Sequence, residues 1–218
     1  LKGGRLERIY AAREVILSAG SLKTPQMLML SGIGPRAELE KHAIPVVLDS
    51  PGVGQNLQDH FYIHTGWRCT PDSSYNANLV GLRKYWEGFR YLMTRKGYLA
   101  LGSSQVAAFV KSSPDEDYAD LQISFRPMTF QYFPDGTVDV EKHPGLGVSV
   151  YQLRPSTTGT VKLRSTNPSD PADYTPNFLS SDYDVNAVIS GVRWIRKIMN
   201  SEPIKSRVVA EEMPGPHV

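Results

Sequence analysis

Asp59 and His60 stand side by side, and a carboxylate beside an imidazole can orient the ring and raise its basicity for proton transfer. The same pair can equally tie down a loop through hydrogen bonds. Upstream, Ser18, Ala19 and Gly20 follow the apolar run Val15-Ile16-Leu17. Small residues at the carboxyl end of a buried strand let a ligand approach the backbone, and open α/β sheets bind ligands at that end. Ser18, Ala19 and Gly20 are thus candidate ligand neighbours, with plain strand–helix packing as the alternative. Asn56 and His60 join them from the loop that Pro51, Gly52 and Gly54 make irregular. A third cluster, Phe125-Arg-Pro-Met-Thr-Phe-Gln-Tyr-Phe133, combines aromatics with one guanidinium. Phe125, Arg126, Phe130, Tyr132 and Phe133 form either a pocket mouth or a hydrophobic lid or core. Among the histidines, His64 falls on a strand candidate with a structural or exposed place. His42 falls at an exposed helix end, where its charge suits the dipole. The five histidines show no paired spacing, so no metal site is expected.

The elements that must position these groups follow from periodicity and turn chemistry. Leu6–Tyr10 and Arg13–Leu17 read as neighbouring strands. Thr24-Pro25 reads as a helix start, with Thr24 as cap, and Gly32, Gly34 and Pro35 as the stop. Pro35 opens a second helix through His42, and Ile44–Leu48 reads as a short strand. Phe61–Arg68 leads as a strand into a second region. Leu82, Tyr85, Trp86, Phe89, Leu92 and Met93 define one face of an amphipathic helix closed by Gly97. Val106–Val110, Leu121–Phe125, Leu146–Leu153 and Thr160–Arg164 are further strand candidates. Val185, Val188, Ile189, Val192, Ile195 and Met199 make a last amphipathic helix, capped by Ser181 or Asp182. Strands and helices come in blocks after about residue 67, which predicts an α+β arrangement there.

The stretch Ala19-Gly20-Ser21-x-x-Thr-Pro-x-x-Leu-x-x-Ser-Gly-Ile-Gly34 resembles the second signature of the glucose–methanol–choline (GMC) oxidoreductases, flavoenzymes that oxidise alcohols. Pro51-Gly-Val-Gly-x-Asn-Leu-Gln-Asp-His60 is similar to the continuation of that signature at its usual distance. Arg154-Pro-Ser-x-x-Gly-x-Val-x-Leu-x-Ser165, Pro176-Asn-Phe-Leu-Ser180 and the Arg193–Met199 segment resemble later blocks. The likeness covers nearly the whole chain and leans toward the choline-dehydrogenase-like branch. It implies fold class α+β: residues 1–66 as part of a flavin-binding α/β domain, and residues 67–218 as a substrate-binding domain. That second domain would hold a largely antiparallel sheet with packed helices, roofing the flavin and shaping the alcohol pocket. Ser18, Ala19, Gly20, Asn56 and His60 become candidate FAD neighbours, and the aromatic cluster a candidate substrate pocket. The resemblance implies oxidation of a primary alcohol to an aldehyde by hydride transfer to the flavin. The family's base is a histidine in a His-Pro motif expected beyond Val218. His143-Pro144 precedes the Arg154 block and stands in the wrong place, so no catalytic residue is assigned. Hydroxynitrile lyases share this scaffold and are an alternative, as is a noncatalytic binding domain.

Composition narrows partners more than it narrows fold. A net charge of +2 with scattered Lys and Arg implies no nucleic acid. The single cysteine, Cys69, excludes an internal disulfide and a Cys-based zinc cluster. No apolar run reaches the roughly 18 residues of a transmembrane helix. Neither the compartment (cytoplasmic or membrane-peripheral) nor the electron acceptor nor the oligomeric state follows from these residues. Gly52-Val53-Gly54 lacks the third glycine of the dinucleotide fingerprint, whose helix N-terminus anchors the pyrophosphate. Residues 1–218 alone are therefore expected to bind FAD weakly or not at all and to lack alcohol-dependent dye reduction. An absorbance scan of the purified chain checks this; stoichiometric, tightly held flavin would contradict it.

Overall fold

Residues 8–215, 217 and 218 are described by a computed structural model. In chain order the elements begin with α1 (Gly20–Leu30), β1 (Ile33–Gly34), α2 (Arg36–Lys41), β2 (Leu48–Asp49), β3 (Tyr62–Cys69), α3 (Asn76–Leu79) and α4 (Arg83–Thr94). There follow β4 (Val106–Val110), β5 (Leu121–Arg126), β6 (Phe130–Tyr132), β7 (Val138–Val140), β8 (Gly145–Gln152), β9 (Thr160–Lys162), β10 (Asp173–Thr175), α5 (Asp182–Met199) and β11 (Val208–Met213). The chain forms two compact units, Leu1–Gln58 with Thr158–Asn177 and Asp59–Thr157 with Phe178–Val218. The boundary thus lies at 58/59 rather than 66/67, and the first unit takes back a later segment. A single cut point, as the sequence suggested, misses that return because its cause is a long-range contact.

In the first unit that contact is Leu163, which is buried with Met29 of α1 and Leu39 of α2. The Leu163 N–H also donates to Glu38 Oε1 at 3.2 Å. Beside it, Val161 N–H donates to the Gly54 carbonyl at 2.7 Å. A side chain at Gly54, whose φ is +78°, would stand 2.2 Å from the Val161 oxygen, so the Pro51–Gly54 turn needs glycine there. The helix α1 starts at Gly20, earlier than Thr24-Pro25 suggested. Thr24 Oγ1 turns back to accept the Ala19 N–H at 3.2 Å. Pro25 then lies inside α1, forfeiting one bond in its second turn. Pro35 and His42 flank α2 as expected, but His42 is not exposed. Its imidazole lies 3.5 Å from Glu38, one turn back, and both side chains are largely covered. The expected Ile44–Leu48 strand shrinks to the two-residue β2, parallel to β1. Arg8–Tyr10 and Arg13–Leu17 form no strand, and Leu6 and Glu7 lie outside the described residues. A strand buried on both faces needs ladder partners, and no described strand pairs with Val15-Ile16-Leu17, which stay exposed.

The second unit is built on an antiparallel sheet of order β11-β3-β8-β5-β4. Strand alternation divides its side chains cleanly. Trp67, Cys69, Leu121, Ile123, Leu146, Val148 and Val150 point to one side and are buried with Ala187, Ile195 and Met199 of α5. The helix comes close because Gly191 has no side chain: a Cβ there would lie 2.5 Å from Val150. The other side of the sheet carries Tyr62, His64, Gln122, Ser124, Arg126, Ser149 and Tyr151, placed there by the cross-strand register. Burial pushes the Cys69 thiol up to about 11, with the Asp72 carboxylate adding to it, which suits an inert core residue.

At the start of α5, Ser181 Oγ caps the Asp184 N–H at 3.1 Å. The Asp184 side chain is itself buried and accepts from Gln152 Nε2, from Ser156 N and Oγ, and from Thr157 N and Oγ1, at 2.6–3.1 Å. Burial by itself would raise the Asp184 pKa. The hydrogen bonds from Thr157, Ser156 and Gln152 outweigh it and hold the carboxyl down at about 2. Because the folded value lies below the ordinary 3.8, the carboxylate's contribution is full above 3.8 and is lost as pH falls through about 2. Asp184→Asn is expected to lower the unfolding free energy by about 2–3 kcal/mol at neutral pH. It should also flatten the stability profile across that acid window. Urea unfolding of both proteins at stepped pH tests this; identical midpoints and slopes would refute it.

Candidate functional site

Directly paired across three strands, Ser124, Ser149 and His64 form one row on the side of the sheet away from α5. The next row holds Gly66, Gly147 and Arg126. Glycine is required at 147, because a side chain there would lie 2.8 Å from His64 Cε1 and 2.9 Å from the Met128 carbonyl. Arg126 Nη2 donates to Ser149 Oγ at 3.2 Å and lies 3.2 Å from His64 Nδ1. A guanidinium can only donate, so Nδ1 is the acceptor and the neutral ring carries its proton on Nε2. Ser149 Oγ lies 3.0 Å from the same Nδ1. Burial, followed by the adjacent Arg126 charge, lowers the His64 pKa to about 4, against a smaller opposing effect of Glu141. At neutral pH this imidazole is a hydrogen-bonding group without charge.

A cavity of about 300 Å³ opens against this row, lined by His64, Gly66, Thr129, Phe130, Tyr132 and Glu141 among others. Phe130, Gln131 and Tyr132 of β6 supply one part of its wall, and Glu212 and Met213 of β11 another; β6 pairs with β7 as a hairpin. Buried Asn76 fixes the base of that hairpin: it donates to Thr129 Oγ1 at 3.0 Å and to the His143 carbonyl at 2.7 Å, and accepts from the Thr129 N–H. Thr129 Oγ1 in turn donates to Glu141 Oε2 at 2.5 Å. The Arg126 guanidinium lies 5.8 Å from the centre of the Phe130 ring. Of the five aromatic-cluster candidates, the structure thus gathers Arg126, Phe130 and Tyr132. Phe125 points the other way, against the core, and lines a separate cavity of about 270 Å³ with Pro203 and Ile204. Strand alternation between Phe125 and Arg126 is the reason. Phe133 caps the hairpin turn, its N–H donating to the Thr137 carbonyl, and does not line the cavity. The stretch after β5 is a hairpin, with Pro127 following β5 and Pro134 in the turn.

In the first unit, the two glycine-rich motifs meet. A cavity of about 280 Å³ is lined by Ser21 and Pro25 of α1 and by Gly54, Gln55, Asn56, Leu57 and Gln58. Asn56 holds a positive φ of 57°, a conformation asparagine tolerates. Ser18 and Ala19, just ahead of α1, and Gly20, its first residue, are exposed and do not line this cavity. Gly20 has φ +85° and nothing within 4 Å of where a side chain would stand. No side chain caps the first turn of α1. An open backbone and uncapped helix donors fit the close approach of a flavin-sized ligand. His60 is exposed in the second unit, and Asp59 Oδ1 accepts its backbone N–H at 2.8 Å rather than its ring. That contact is the loop-tying alternative.

Two groups escaped the sequence reading. His64 and Ser149 lie 85 positions apart, and only strand register joins them. The second is Glu141, His143 and Glu212, whose ligand atoms lie within 4.8 Å of one another. His143 Nε2 is 3.5 Å from Glu141 and 3.7 Å from Glu212. A search for paired histidine spacing misses this set, because its third member comes from β11.

Comparison with known proteins places these features in a family. GMC oxidoreductase family models match residues 1–62 and 155–218. The chain is 37% identical over 218 residues to the mitochondrial choline dehydrogenase of Homo sapiens, covering 100% of the chain and 36% of that protein. It is 37% identical over 216 residues to the oxygen-dependent choline dehydrogenase of Brucella ovis, covering 99% of the chain and 39% of that protein. Among solved structures, formate oxidase superposes with a TM-score of 0.84 at 28% identity, over 94% of this chain and 41% of the other. The formate oxidase of Aspergillus oryzae, matched equally well, has been described for an effect of mutation on its FAD modification. The chain belongs to the GMC oxidoreductase family. It spans well under half the length of these relatives.

The His64 environment gives a direct prediction. Its imidazole should titrate near 4, and Arg126→Ala should move that value up toward the ordinary 6.5. Since the folded pKa is depressed, the neutral ring's contribution to stability is full above 6.5 and is lost as pH falls toward 4. Imidazole NMR titration reads both proteins. A wild-type midpoint near 6.5 would show that the ring is not held by this network.

Proposed function

We propose that this chain supplies the substrate-facing wall of an FAD-dependent oxidoreductase that converts a primary alcohol to its aldehyde, in the choline-dehydrogenase-like branch of the family. The observation that carries this reading is the cavity where neutral His64, held by Arg126 and Ser149, meets the Phe130 and Tyr132 rings. FAD, when bound to the intact protein, supplies the hydride acceptor. Ser18, Ala19, Gly20, Asn56 and His60 are proposed as its neighbours. The uncharged His64 offers an Nε2–H to an alcohol or carbonyl oxygen without presenting a proton acid strong enough to protonate it. The aromatic rings exclude water from the carbon that reacts and set the shape of the accepted alcohol. Family membership, the relatives' names and the FAD of the formate oxidase support the reading.

The test is a substrate-ranking experiment in the intact enzyme. Phe130→Ala or Tyr132→Ala should change the preference between aliphatic and aromatic alcohols by roughly 1–3 kcal/mol, or about 10–200-fold in kcat/KM. Phe125→Ala, on the core side, should lower the unfolding midpoint and leave the ranking alone. If the Phe130 and Tyr132 variants lose stability with unchanged ranking, the cavity is packing rather than a substrate wall. Cleavage of a cyanohydrin with no alcohol-dependent dye reduction would instead identify a lyase.

A further inference from the structure

The edge strand β11 does not alternate regularly. Glu211 pairs with Trp67 and Met213 with Gly66, so two positions of β11 advance against one of β3. Glu212 is the extra residue of this bulge, and bulges at sheet edges re-aim side chains. Glu211 turns toward α5 and holds Arg196, 2.9 Å from its Nη2. Glu212 and Met213 both line the cavity on the opposite side. There Glu212 Oε2 lies 3.7 Å from His143 Nε2, while Arg68 stands 3.5 Å from its other oxygen. Glu141 Oε2 lies 3.5 Å from the same His143 nitrogen. Glu141 and His143 are placed from inside the fold. Asn76 is 0% exposed and donates both to the His143 carbonyl and to Thr129 Oγ1, which in turn donates to Glu141 Oε2. Gly145 leaves room for that relay, since a side chain there would stand 2.2 Å from Thr129 Oγ1.

We propose that Glu141, His143 and Glu212 bind a zinc-like divalent metal ion that clasps the end of the β6–β7 hairpin and the lead into β8 to β11. A tetrahedral zinc ion with bonds of about 2.0–2.2 Å holds its ligand atoms about 3.4 Å apart. Both distances to His143 Nε2 are close to that value, and all three ligand atoms lie within 4.8 Å of one another. The imidazole makes the set more than a pair of acids. Magnesium and calcium take oxygen ligands, whereas one nitrogen with two carboxylates suits zinc and its first-row neighbours. The Asn76–Thr129 relay is the kind of outer support that orients a ligating carboxylate. All three ligands belong to this chain and to its second unit, so the set is complete without a further segment. Glu141 and Glu212 also line the cavity, so a bound ion braces the wall that carries Phe130 and Tyr132.

The experiment is a zinc titration of the intact, chelator-treated protein in competition with a chromophoric zinc chelator, with the thermal unfolding midpoint read in parallel. Zinc should bind with micromolar or tighter affinity and raise the midpoint, because an ion held by the folded state alone stabilises it. His143→Ala and Glu212→Gln should each weaken zinc binding by about tenfold or more and abolish the zinc-dependent rise. If His143→Ala lowers the midpoint even without zinc, Glu141→Gln repeats the test, since its side chain keeps an oxygen that can accept from Thr129. Magnesium at the same concentration should produce neither effect. Equal zinc affinity in the wild type and the variants overturns the proposal, and so does equal uptake of magnesium. Absence of zinc binding also overturns it and leaves the three side chains as an ion-paired set.

Discussion

A single buried carboxylate organises the second unit. Asp184 sits in the first turn of α5 and gathers five hydrogen bonds from Gln152, Ser156 and Thr157. An ion in that place without partners would be strongly destabilising. With them, it fixes where the end of β8 meets the start of the helix. Once that point is set, Gly191 can lie against Val150, and the apolar side of the sheet is sealed along α5. The opposite side then carries His64, Ser149 and Arg126 against the cavity that β6 helps to line. The Arg154-Pro-Ser motif that resembles a family block thus has a structural account, since Ser156 is one of the residues that hold the carboxylate.

How the sheet sorts its residues explains what the sequence could and could not disclose. The strands at 62–69, 106–110, 121–126 and 145–152 and the helices at 83–94 and 182–199 are legible, because their periodicity is strong and their ends carry turn residues. The short contacts of the first unit are not. Val15-Ile16-Leu17 has the composition of a buried strand, but a strand's existence depends on a neighbour that local sequence does not name. Thr24-Pro25 looks like a helix start until Gly20, with its positive φ, begins the helix a turn earlier.

The site was legible by composition and lost by geometry in the same stretch. An aromatic cluster after a strand end marked the correct neighbourhood, yet period-two alternation sends Phe125 to the core and Arg126 to the open side. His64 looked like an ordinary strand residue because its partners, Ser149 and Arg126, arrive from strands far along the chain. Glu141, His143 and Glu212 converge for the same reason. Chemistry made by register leaves little trace in local spacing. In contrast, the motifs at 18–34 and 51–60 point at one another correctly, since Ser21, Pro25 and Asn56 line one cavity.

The core of the first unit closes only when Leu163 reaches Met29 and Leu39, and the Val161–Gly54 bond locks the turn beside it. On a ribosome, the residues of α1 and α2 emerge more than a hundred positions before the segment that completes them. During that interval Met29 and Leu39 have no cover from it, while β3, β5 and β8 of the second unit are already available to pair. The order of synthesis therefore lets β3, β5 and β8 of the second unit pair before the first unit closes, while α5 and β11, which complete that sheet's core, emerge only after Leu163. A fold with such a late closing contact carries a high cost in loop entropy and exposes apolar surface for longer. Gly54, where a side chain would stand in the way of the returning Val161, is where that delayed closure is made geometrically possible.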